Sequence, residues 1–178
     1  MRRQLTWLNI PSIFTHALFV CLIATAVIGV LEFGAQATPP SGLSFTFIGR
    51  ATLPEFRVRR REKALDWELE LEAPQPIDVA TQIVTFQPGG FSGWHTHPGP
   101  VIFTVRTGTL TVYEGGDPTC TPHVFTAGTG TVEAATSNHI HMVRNETSSV
   151  AETVVTYMVP VGASPLRTDL PNPGNCPF

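Results

Sequence analysis

Charged side chains are scarce in this chain. Asp, Glu, Lys and Arg make up 14% of its 178 residues, with 11 basic against 14 acidic and a net charge of −3. A nucleic-acid surface needs a basic excess to neutralise phosphates, so that class of partner is excluded. No internal repeat or low-complexity tract is visible, and outside the N-terminus no stretch predicts a long helix. In contrast, 15 Gly and 16 Pro are present. Few charges with many turn formers suit a turn-rich β fold rather than a helical bundle. The length allows one domain with a sizeable core.

The N-terminus reads as an export signal. Arg2 and Arg3 give a positive start, and Ala17 to Leu31 is an uncharged apolar run. That run is 15 residues long, short of the roughly 20 that a membrane span requires. Ala35-Gln36-Ala37 then supplies an A-x-A cleavage pattern before Thr38. Residues 1–37 are therefore expected to be a signal peptide, with an uncleaved anchor over residues 13–33 as the alternative. The expected location is periplasmic or extracellular, and a membrane is involved only if the signal stays attached. Cleavage would leave nine basic and 13 acidic residues, a net charge of −4. It would also remove Cys21 and leave Cys120 and Cys176. An even pair in an exported chain predicts a disulfide, which would staple the Pro- and Gly-rich tail, residues 163–178, to the body of the protein.

Alternation and turn residues predict a chain of short strands. After a linker at 38–42, they fall at 43–48, 57–60, 66–72, 79–86, 94–97, 101–106, 109–113, 123–126, 130–134, 139–145 and 151–159. The basic run Arg57 to Lys63 reads as a solvated strand end and turn, because acidic residues follow at once. Asp66-Trp67-Glu68-Leu69-Glu70-Leu71-Glu72 alternates strictly, which predicts a half-buried strand with its Glu face in water.

Two segments carry chemistry. In Gly89-Gly90-Phe91-Ser92-Gly93-Trp94-His95-Thr96-His97-Pro98-Gly99-Pro100, the histidines are two apart, so on a strand both imidazoles point to one side. Neutral imidazole is the commonest metal ligand, which makes this spacing a candidate site. The second segment is His139-Ile140-His141-Met142-Val143-Arg144-Asn145. Gly89, His95, His97 and Gly108, then Gly130, His141 and Asn145, fall at the spacings of the two motifs of the cupin superfamily, which this chain resembles. Two departures lie in the second motif, where Thr136 stands for a proline and Asn138 for a glycine. A third matters more: Val101 occupies the glutamate slot of the first motif.

The resemblance implies an all-β double-stranded β-helix, a jelly-roll barrel, over residues 43–162, preceded by the apolar signal helix. It implies His95, His97 and His141 as ligands of a divalent transition metal: Fe, Mn, Ni or Zn. His139 is expected either as a fourth ligand, as an outer partner of the ligands, or as a polar residue at the barrel rim. Val101, Phe103, Val105 and Val143 are expected to line the interior around the imidazoles. With Val101 in the carboxylate slot, three neutral ligands would leave the full charge on the ion and favour an anionic or chelating small molecule. The function expected is a small metal-dependent enzyme, dioxygenase- or isomerase-like, with a non-catalytic metal- or small-molecule-binding module as the alternative. Tyr113 and Glu133 are the nearest oxygen donors in sequence, and nothing there places either at the ion. The resemblance allows a homodimer, which no residue here specifies.

Overall fold

The computed structural model describes residues 36–134 and 139–178. The expected signal helix, Thr136 and Asn138 lie outside the described residues. Among the described residues, no helix is long and apolar enough to cross a membrane. The described residues are all-β apart from one 3-10 turn at Lys63–Leu65.

The strands are β1 (Ser41–Leu53), β2 (Phe56–Glu62), β3 (Trp67–Ala73), β4 (Ile77–Phe91), β5 (His95–Thr96), β6 (Val101–Thr107), β7 (Thr109–Glu114), β8 (His123–Thr126), β9 (Gly130–Glu133), β10 (His141–Arg144), β11 (Ala151–Pro160) and β12 (Thr168–Asp169). Ten of them form one sheet that curls into a nearly closed barrel. Its main path runs β12-β5-β10-β4-β11-β6-β9, with β1 added on β4 and β7 joining β10 to β8.

The alternation of apolar and polar residues decides which face is inside. On β6, Val101, Phe103 and Val105 are buried while Ile102, Thr104 and Arg106 are exposed. On β11, every second residue from Ala151 to Val159 is buried. These faces meet Ala80, Val84 and Phe86 of β4 in one apolar cluster. Gly108 turns β6 into β7 with φ at +75°, and a Cβ there would lie 2.8 Å from the Ala151 Cβ, so no other residue fits. Asn145, fully buried, ties the end of β10 to the end of β4 by donating from Nδ2 to the Phe86 and Gln87 carbonyls.

One expectation fails. The alternating segment at 66–72 is a strand, but its apolar face is not buried: Trp67, Leu69 and Leu71 are 46%, 44% and 42% exposed. The reason is topological. Among the described residues β3 pairs only with β2, in a separate two-stranded sheet, and alternation buries a face only where a second layer covers it. The other face of this hairpin carries ion pairs, Arg57 to Glu70 and Arg59 to Glu68, so the basic run is a solvated strand as expected. The hairpin leaves and rejoins the barrel at one place, because Leu53 at the end of β1 faces Ile77 at the start of β4.

The C-terminal segment is docked along its length. Thr168 and Asp169 pair with Thr96 and His95, and Leu170 donates its N–H to the Trp94 carbonyl. Thr38 closes the same seam by accepting from the Trp94 N–H and donating to the Leu170 carbonyl. Cys120 and Cys176 are disulfide-bonded, as the cysteine count predicts.

Candidate metal centre

His95 sits on β5, and its register partner across the ladder is His141 on β10. Partners opposite each other on antiparallel strands project to the same side. His97 lies two residues on from His95 and completes the group. The ring centroids are 4.3 Å apart for His95–His141, 4.8 Å for His95–His97 and 5.2 Å for His97–His141. One ligand atom from each of the three lies within 4.8 Å of the others. Two nitrogens opposed across one ion at about 2.1 Å each would be ~4.2 Å apart, so the widest pair closes by a few tenths of an ångström to share it.

The tautomers follow from backbone geometry. His95 Nδ1 is 2.9 Å from the Gly93 carbonyl and His97 Nδ1 is 2.9 Å from the Leu166 carbonyl. A carbonyl only accepts, so each Nδ1 carries the proton and each Nε2 presents a lone pair. Burial, reinforced by the neighbouring charges of His141, Arg167 and His97, pushes His95 well below the usual imidazole range and keeps it neutral. His141 is wholly buried, and neither of its ring nitrogens makes a hydrogen bond among the described residues. An unsatisfied buried polar atom costs about 1–3 kcal/mol, and the Nδ1 of this ring has no partner among the described residues.

The carboxylate that Val101 cannot provide is present nonetheless. Val101 of β6 pairs with Glu133 of β9, and the Glu133 side chain enters the barrel beside it. Its Oε2 lies 3.3 Å from His97 Nε2 and 3.3 Å from His141 Nε2. Burial alone would raise this carboxyl, but His141 and His97 outweigh it and hold Glu133 well below the usual carboxylate range. His97 Nε2 thus faces an anionic oxygen across 3.3 Å, a spacing that a ring proton or a shared cation bridges. Ligands of one ion at about 2.1 Å and near 90–109° are separated by ~3.0–3.4 Å, which this spacing matches.

The remaining sequence-derived residues divide. Phe103 and Val143 line the cavity with His95, His97 and Glu133, whereas Val101 and Val105 are core residues that do not border it. His139 has its ring 5.0 Å from that of His141 and its Nε2 2.9 Å from Glu114 Oε2, and this pairing raises its pKa. Tyr113 donates to Glu146 away from the imidazoles. Three further residues border the site without a motif to mark them: Tyr157, with its ring 5.3 Å from that of His97, Gln82, which donates to the Tyr157 hydroxyl, and Arg167. Tyr157 was detectable only as an aromatic on the inward face of β11, and Arg167 only through the docking of the tail.

Residues 82–157 match the family described as "Cupin domain". No curated protein matches the chain in sequence. Among solved structures, it is similar to an oxalate oxidase at 27% identity and a TM-score of 0.39, over 49% of this chain and 50% of that one. The chain thus spans half the length of that protein. It is also similar to the cupin domain of an XRE family transcriptional regulator from Enterobacter cloacae, at 13% identity and a TM-score of 0.43, over 67% of this chain and 99% of that one. A third similar structure is the DMSP lyase DddQ from Ruegeria pomeroyi, at 18% identity and a TM-score of 0.42, over 51% and 42% of the respective chains.

Proposed function

Because this chain belongs to the cupin superfamily, we propose that its barrel is a jelly roll that holds one divalent transition-metal ion on His95, His97 and His141, with Glu133 as the carboxylate ligand. The observation that carries this reading is the convergence of three imidazoles and a buried carboxylate on one point inside the barrel. Gly93 and Leu166 orient the two β5-side rings through their carbonyls, the usual outer support of metal-bound histidine. The nitrogen and oxygen donors suit Fe, Mn, Ni or Zn. When bound, such an ion acts as a Lewis acid that orients and polarises an oxygen ligand.

The function this supports is that of a small metal-dependent enzyme, dioxygenase- or isomerase-like, acting on a small molecule in the barrel interior. Export completes the reading: residues 1–37 are the signal, residues 43–162 the barrel, and the disulfide suits an oxidising compartment.

The test is calorimetric titration of the full mature chain with Fe(II), Mn(II), Ni(II) and Zn(II), with oxygen uptake followed in the loaded protein. Wild type is expected to take one equivalent. His95→Ala and His141→Ala lose binding while staying folded, because apolar strands already hold the scaffold. His139→Ala, which removes a residue paired with Glu114, costs less. Equal, weak binding of every metal by wild type and His141→Ala would sink the metal site. Tight binding without turnover of any small acid or diketone would instead favour a binding module.

A further inference from the structure

The cavity above the imidazoles is greasy, lined by Leu43, Phe45, Val84, Phe86 and Phe103 among others, yet it contains two hydrogen-bond donors that the metal ligands do not use. The first is Arg167. Its Nε donates to Asp169 Oδ1 at 2.8 Å, and its Nη2 donates to the Ser92 carbonyl at 2.6 Å and to Asp169. Its Nη1 has no acceptor among the described residues. Ser92 precedes His95 in the same loop, and its Oγ is 3.4 Å from His95 Nδ1, so the guanidinium is fixed beside the ligand cluster.

The second donor is the Tyr157 hydroxyl. It accepts from Gln82 Nε2 at 2.6 Å, which occupies a lone pair and leaves its own proton without an acceptor among the described residues. The residue is 3% exposed and borders the cavity. Its proton is therefore free to be donated to a ligand in the cavity.

Charge decides what that ligand is. A divalent ion beside the Glu133 carboxylate leaves one positive charge. The Arg167–Asp169 pair adds none. A single negative charge neutralises the cavity, and a second would be buried without compensation. Size sets a further limit. The open volume is about 30 Å³, room for two or three waters at ~10–15 Å³ each, so only the head of a small acid enters.

Resting on the metal reading above, we propose that this site takes a small monocarboxylate, held on the metal side by the ion and on the other by Arg167 Nη1 and the Tyr157 hydroxyl. Arg167 and Tyr157 are thus specificity-determining residues, and Asp169 restrains the guanidinium.

The experiment uses the mature chain loaded with Co(II), whose visible absorption reports ligands entering its coordination sphere. Acetate, its neutral counterpart acetamide and the dianion malonate are titrated. Acetate is expected to bind more tightly than either. Charge-assisted hydrogen bonds are the stronger kind, so Arg167→Gln is expected to weaken acetate binding about 10-fold or more while leaving the Co(II) affinity within ~3-fold. Arg167→Lys recovers part of the loss, Tyr157→Phe loses about 3–10-fold, and Asp169→Asn tightens acetate by freeing the guanidinium. Acetamide binding as tightly as acetate, or acetate affinity unchanged in both Arg167→Gln and Tyr157→Phe, overturns the proposal. If Co(II) itself fails to bind, the metal reading falls, and the anion site is then read from melting temperature in the metal-free protein. A rise with acetate that Arg167→Gln abolishes sustains it, and no rise in wild type overturns it.

Discussion

Val101 and Glu133 stand opposite each other on the β6–β9 ladder, both buried, and the second carries the carboxylate that the first lacks. On the proposed reading, the carboxylate ligand stands one strand sideways from its usual slot, in the same layer of the barrel.

That relationship makes an exchange possible. Glu133→Gln is expected to weaken metal binding by more than the roughly 10–100-fold typical of losing an outer partner of a metal ligand. Adding Val101→Glu to Glu133→Ala returns a carboxylate to the same layer from the neighbouring strand and is expected to recover most of the affinity. Calorimetry with Mn(II) measures both. A double variant no better than Glu133→Ala would show that the carboxylate position is not interchangeable.

Acid stability is expected to depend on Asp78. The Thr52 hydroxyl and the Gly162 N–H, helped by the Arg50 guanidinium and opposed by burial, lower its pKa to about 2. A carboxyl depressed in the folded state stabilises above its unfolded value of about 3.9, and that stabilisation is lost as the pH falls toward the folded value. Wild type is therefore expected to lose stability between about pH 4 and 2, and Asp78→Asn to flatten that part of the profile. Denaturant midpoints measured across the range check it, and parallel curves for the two proteins would refute it.

The disulfide joins residues 56 apart in sequence. Loop entropy gives it up to about 4 kcal/mol of stabilisation. Cys176→Ser is expected to lower the denaturant midpoint accordingly, and a reducing agent is expected to lower wild type to the same level while leaving the variant unchanged.

The β2–β3 hairpin is expected to be dispensable. Because Leu53 faces Ile77, residues 54–76 can be replaced by a two-residue Asn-Gly turn of the kind that closes hairpins. The shortened protein is expected to keep the melting temperature and metal affinity of the barrel to within a few degrees and about twofold, since surface changes away from the core cost little. Loss of the folded barrel would assign the hairpin a structural role.

The legible parts of this protein are those where local spacing decides the outcome. His95 and His97 are two apart on a strand, and His141 follows from a motif. Glu133 could not be placed from sequence because its position depends on the register of β6 against β9, a pairing between distant segments. A signal existed in hindsight: Val132 is 64% exposed and Glu133 4%, so β9 reverses the usual rule that apolar residues face inward. The error at Trp67, Leu69 and Leu71 has the opposite origin. Local alternation was read correctly, but alternation does not say whether a second layer exists. Of the export signal expected at residues 1–37, residues 1–35 lie outside the described residues.

The meeting of Leu53 and Ile77 at the base of the hairpin also has a kinetic meaning. The β2–β3 ladder closes between neighbours in sequence, Glu62 against Trp67, whereas β4 must find β11 from far along the chain, Ile77 against Pro160. Short loops close first because their entropic cost is lower. Hairpin closure brings the ends of β1 and β4 together, and those strands can then zip from Leu53–Ile77 toward Ser41–Phe91. Pulsed hydrogen exchange during refolding is expected to protect β2–β3 first and β4–β11 last, and the reverse order would refute this. The pocket around His95, His97, His141 and Glu133 then assembles late, so newly made chains pass through a stage that is already partly ordered but has no site at which to hold an ion.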